Sequence, residues 1–171
     1  PKYFVDEDTN VIVSFSGVAF NYGFDYIGIR NIPLYGDNKY AFNSFAMLTE
    51  SGFTPLVCGS KNTLKANIVF NFAHMIGKQP FVFTWFPHSE FERIQQMAEN
   101  VRKINSILVI KGILKLKLEV LNQVNVMLLN TQNIRTSDCS IFATLSIEQG
   151  STLTEEYRVA FRPIFIKNLD I

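Results

Sequence analysis

The sequence predicts a mainly β domain, an antiparallel β-sandwich or barrel with one α-helix laid on its flank. Three observations carry that expectation. Apolar and polar residues alternate over several long stretches, the period of a half-buried strand. One segment combines helical spacing with signals at both ends. The chain has 171 residues, 47% of them apolar and only 18% charged. That length suits a single domain burying roughly 70% of its unfolded surface, and the composition excludes a disordered chain.

The elements follow in order. Residues 11–15 (VIVSF) read as a short strand ended by Gly17. Residues 16–52 are aromatic, with Phe20, Tyr22, Phe24, Tyr26, Tyr35, Tyr40, Phe42 and Phe45 interrupted by glycines and Pro33. Short strands and turns are expected there, without an assignable register. In residues 63–72, Leu64, Ala66, Ile68, Phe70 and Phe72 share one face of an alternating segment. Residues 79–86 (QPFVFTWF) favour strand by their β-branched and aromatic content.

The helix is expected over residues 89–103. Ser89 and Glu92 form a capping box, and Phe91, Ile94, Met97, Ala98 and Val101 make the apolar stripe. Glu90 and Glu92 sit at its positive end, Arg102 and Lys103 at its negative end. A strand over 107–110 follows. Residues 112–121 alternate again, which turns Leu114, Leu116, Leu118 and Val120 toward a core and Lys115, Lys117 and Glu119 away from it. Further strands are expected over 124–129, 139–148 and 157–165. The chain thus divides into an aromatic region (1–62), a β–helix–β core (63–149) and a closing strand (150–171), all within one domain.

Chemistry is sparse. His74 and His88 are the only histidines, and no CxxC or HExxH spacing exists, so no metal site and no catalytic residues are expected. His88 with Glu90 or Glu92 is an incomplete acid–base set. Nothing matches GxxxxGK[ST] or a strand-following GxGxxG, so no cofactor is expected either. Cys58 and Cys139 are expected as buried free thiols, and Trp85 as a core residue. The net charge of +1 provides no global field for nucleic acid or an acidic membrane. No apolar run reaches the length of a membrane helix, and PKYFVDEDTN lacks the features of a secretory signal.

The predicted order of strand, short strand, capped helix and long strands over 63–149, with the phrase GILKLKLEVLNQVNVMLLNTQNIRTSDCSIFATLSIEQG, resembles the tail-tube fold of bacteriophage tail and baseplate proteins. The nearest flavour is the Dit-like or tube-initiator domain. The resemblance implies a structural assembly protein, not an enzyme, forming a homo-oligomeric ring of six copies, or three with a duplicated fold. Its other partners would be tail or baseplate proteins, its place the virion, and nucleic acid would only pass through the lumen. The eight aromatics from Phe20 to Phe45 are the candidate subunit interface. Lys115, Lys117 and Glu119 are the candidate exposed or lumen-facing strand face. The alternative is a β-barrel binding module for an apolar ligand or protein partner.

Overall fold

The computed structural model describes residues 1–26, 36–61, 63–86, 90–132, 140–147 and 153–166. Among them two sheets form. The first is antiparallel, in the order β1-β2-β3, from β1 (Lys2–Val5), β2 (Val11–Phe15) and β3 (Val18–Asn21). The second is wholly parallel and contains β4 (Thr54–Gly59), β5 (Pro80–Thr84), β6 (Ile107–Lys111), β7 (Ser140–Ser146) and β8 (Phe161–Phe165). Its spatial order is β5-β6-β7-β4-β8. Four α-helices accompany the sheets: α1 (Gly36–Glu50), α2 (Lys65–Met75), α3 (Phe91–Lys103) and α4 (Leu118–Gln132).

Parallel strands are buried on both faces and therefore read as apolar runs. Thr54 to Cys58 of β4 and Ile107 to Ile110 of β6 are buried without a break. Alternate residues still serve opposite faces. Val57, Ile107, Val109 and Phe142 pack against α1, α2 and the inner side of the antiparallel sheet. Leu56, Cys58, Leu108, Ile110 and Ala143 pack against α3 and α4. Tyr3 ties the small sheet to α2 by donating its hydroxyl to the Met75 carbonyl at 3.0 Å.

This architecture is mixed α/β, and it overturns the antiparallel sandwich. Residues 63–72 belong mostly to α2, because Ile68, Val69, Phe72 and Ala73 form one buried stripe at helical spacing. Residues 112–129 are also not strands. A 3-10 turn (Ile113–Lys115) leads into α4, whose buried stripe is Leu121, Val124 and Leu128. Leu114 and Leu118, expected in the core, are exposed, and Leu116 and Val120 are half-buried. Residues 36–50 form α1 within the segment expected to hold short strands and turns; Ala41, Phe42, Phe45 and Ala46 are its buried stripe. The 157–165 segment begins as a 3-10 turn (Glu155–Arg158) and becomes strand only at Phe161.

Other expectations match the described residues. Strands run at Val11–Phe15, Pro80–Thr84, Ile107–Lys111 and Ser140–Ser146. Helix α3 buries Ile94, Ala98 and Val101 and carries Glu92 in its first turn, with Arg102 and Lys103 in its last. Ser89 of the expected capping box lies outside the described residues, as do Tyr35, His88 and Cys139. Glu90 holds the N-cap position without a side-chain capping bond.

Candidate functional site

In an open α/β sheet, ligands bind beyond the carboxyl ends of the strands, where the chain order reverses. Here β4 sends its connection across the sheet to edge strand β5, and the chain returns through β6 to β7 at its side. A crevice of about 770 Å³ opens at that point. The carboxyl ends of β6 and β7, the residues that follow β4, β6 and β7, and Leu153, Thr154 and Tyr157 at the last 3-10 turn form its walls.

The loop from β4 to α2 is built on Gly59. A Cβ there would lie 2.5 Å from Thr63 Oγ1 and 3.2 Å from the Ile166 carbonyl, so a side chain is sterically excluded. Thr63 folds back, donating its hydroxyl to the Ser60 carbonyl at 2.7 Å. Lys65 then opens α2. Its ammonium donates to the Ser60 carbonyl, to Thr63 Oγ1 at 3.0 Å and to the Thr63 carbonyl at 3.4 Å. On the opposite wall, Gly112 adopts a left-handed φ of +81° as β6 turns into the 3-10 helix carrying Lys115.

Four lysines line this crevice: Lys61, Lys65, Lys111 and Lys115. No carboxylate of the described residues lines it. Lys65 is placed against two physical preferences. Only 7% of its surface is exposed, and it stands at the positive end of a helix dipole whose first turn holds no acidic residue. Burial lowers its pKa, with the neighbouring Cys58 opposing weakly. Cys58 itself is buried in β4, and desolvation pushes its thiol up to about 12. Hydroxyls from Thr63, Thr144, Ser146 and Thr154 add hydrogen-bonding groups, while Leu145, Ile147, Leu153 and Tyr157 supply an apolar wall.

This cation-rich crevice escaped the sequence reading. The available signal was Gly59 followed six residues later by Lys65, between a strand and a helix. That is the spacing of the phosphate-binding loop G-x-x-x-x-G-K-[ST]. Leu64 replaces the second glycine and Ala66 the hydroxyl residue, so the strict pattern fails.

The candidate interface aromatics do not form one surface. Phe20, Phe42 and Phe45 are buried in the core, where the ring of Phe45 meets Phe142 at 5.1 Å. Tyr22 is half-buried between Tyr3 and Phe24, while Phe24, Tyr26 and Tyr40 are exposed. Lys115, Lys117 and Glu119 are all exposed, but they sit in the 3-10 turn, the link after it and the start of α4, not on a strand. Of the three, only Lys115 lines the crevice. Among the described residues, no group of three or more His, Cys, Asp or Glu could hold a metal, and no helix is long and apolar enough to cross a membrane.

No family model and no curated protein matches the sequence. Among solved structures the chain is similar to C. elegans PCH-2, with a TM-score of 0.51 and 14% identity. The match covers 82% of this chain and 44% of that one, so this chain spans less than half its length. At that identity the likeness shows the fold alone. It overturns the tail-tube resemblance, and with it the reading as a tail or baseplate structural protein and its β-barrel alternative. The ring partners and virion location rested on that resemblance and lose its support.

Proposed function

We propose that the crevice binds the phosphate chain of a nucleotide and does not cleave it. The observation that carries this reading is the placement of Lys65. A buried ammonium at the positive end of a helix, in a cavity shared with Lys111 and Lys115 and no described carboxylate, is unfavourable by itself. A polyanion removes the conflict, since charge-assisted hydrogen bonds to phosphate oxygens replace those to the loop carbonyls. The first-turn amides of α2 add the usual anion-binding geometry. Leu145, Ile147, Leu153 and Tyr157 offer a surface for a flat ring, which favours a nucleotide over bare polyphosphate.

Turnover requires a group that orients or deprotonates the attacking water. The described lining contains no Asp, Glu or His for that task. The fold shared with C. elegans PCH-2 is compatible with this reading without determining it.

Calorimetric titration with ATP and with inorganic tripolyphosphate, alongside a phosphate-release assay with and without magnesium, tests the proposal. ATP is expected to bind more tightly than tripolyphosphate, with no phosphate released. Lys65→Met is expected to weaken ATP binding by about tenfold or more, the loss of a charge-assisted contact, without lowering the melting temperature of the free protein. Absence of binding, or turnover above the uncatalysed rate, would discard the reading.

A further inference from the structure

Phosphate-loop sites ordinarily hold a divalent cation through the hydroxyl residue after the loop lysine and through an aspartate. Among the described residues neither requirement is met. Ala66 follows Lys65. The described lining from the ends of β6 and β7 comprises Lys111, Gly112, Thr144, Leu145 and Ser146, together with the apolar residues beside them, and no carboxylate. What stands at the end of β6 is a cation already covalently attached to the protein.

Lys111 is half-buried and is the last residue of β6, which pairs with Thr84 on one side and Thr144 on the other. Its ammonium lies 5.7 Å from the ring centroid of Phe70, a residue of α2. That contact holds the charge on the α2 side, the helix that also supplies Lys65. The Lys111 carbonyl accepts from the Trp85 amide at 2.8 Å, which fixes the backbone at the root of the side chain.

We infer that the crevice takes its polyphosphate free of metal, with Lys111 in the place of the divalent cation. The inference rests on the crevice being a phosphate site. Its consequence is an inverted magnesium response. A magnesium ion on the phosphates neutralises charge that Lys65, Lys111 and Lys115 would otherwise meet, and the described lining offers it hydroxyls but no carboxylate. Magnesium therefore competes with the protein for the ligand.

The experiment measures ATP affinity of the whole chain at constant ionic strength, in EDTA and in excess magnesium, for wild type, Lys111→Gln and Lys111→Asp. Melting temperatures confirm that each variant is folded. Wild type is expected to bind about tenfold more weakly with magnesium, the loss of one charge-assisted contact. Lys111→Gln should weaken binding in EDTA and flatten the magnesium response. Lys111→Asp should bind weakest in EDTA and recover when magnesium is added. Tighter wild-type binding with magnesium, or unchanged affinity in Lys111→Gln, overturns the inference while leaving the phosphate site intact. No binding in either condition removes both.

Discussion

The two faces of the parallel sheet are each covered by two helices, yet they are packed on different principles. On the α1 and α2 face, Phe72 is the hub of an aromatic cluster. Its ring lies 5.2 to 6.3 Å from those of Phe15, Phe20, Phe42, Phe45 and Phe142. Two of these partners come from the antiparallel sheet, so one side chain joins three layers. On the α3 and α4 face the core is mainly aliphatic, with Ile94, Val101, Leu121, Val124 and Leu128 over Leu108 and Ile110. Aliphatic side chains close partly around a deletion, whereas five rings held at fixed angles cannot. The face with the hub should therefore be the more fragile to a single change.

Phe72→Ala breaks that asymmetry most directly. It should cost about 3–5 kcal/mol in chemical denaturation and loosen the small sheet, read as faster amide exchange in β2 and β3. Leu128→Ala, on the aliphatic face, should cost about 2–3 kcal/mol, the lower part of the leucine range. Equal losses at the two positions would mean that the aromatic cluster relaxes as freely as the aliphatic one.

Cys58 sharpens the comparison through pH. Its side chain belongs to the aliphatic face, and its thiol is pushed up to about 12, above the ordinary value of 9.0. The unfolded chain therefore loses this proton first. Stability is full below that ordinary value and falls as pH rises toward the folded-state value. At about pH 10 the wild type should lose about 1 kcal/mol more than Cys58→Ala, measured relative to neutral pH. The smallest effect is expected at Leu118, exposed at the start of α4. Leu118→Ser should stay within about 0.5 kcal/mol of wild type. A large loss there would restore the inward-facing strand that the fold replaces with a helix.

What was legible in the sequence follows from the period of each element. β6 is a short run of Ile, Leu and Val, and α3 has a wide polar face, so each fits one template only. α2 fits two. Ala66, Ile68, Phe70 and Phe72 alternate as a strand would, but Val69 and Ala73 are apolar on the supposed polar face. They complete the helical stripe with Ile68 and Phe72. In the 112–121 segment the lysines at 115 and 117 imposed a strict alternation on residues that the chain spends in a turn and the first residues of a helix. The core residues of α4, Leu121, Val124 and Leu128, stand at the three-and-four spacing that the alternation hid. Once α2 and α4 are read as strands, parallel pairing has no crossover helices, and an antiparallel fold is the consequence. The crevice was lost by the same step, because Lys65 on a strand face has no helix N-terminus behind it.

The root of the β4–α2 loop has a consequence in time. The Gly59 carbonyl accepts from the Ile147 amide at 2.9 Å, and the Cys58 carbonyl from the Ile166 amide at 2.8 Å. Both neighbouring strands thus keep hold of β4 up to its last residues, and it is released only when both let go. Opening there is tied to the slowest events of the molecule, those that unfold the whole sheet. The rim is different: the 3-10 turn at Glu155–Arg158 is short, contains no buried residue and is tied to α4 through Asn125, whose side-chain amide donates to the Glu156 carbonyl at 3.0 Å, so opening it does not require the sheet to unfold. A ligand would therefore arrive on a floor that stays fixed for the lifetime of the folded state. Its rates of entry and departure would be set by the rim.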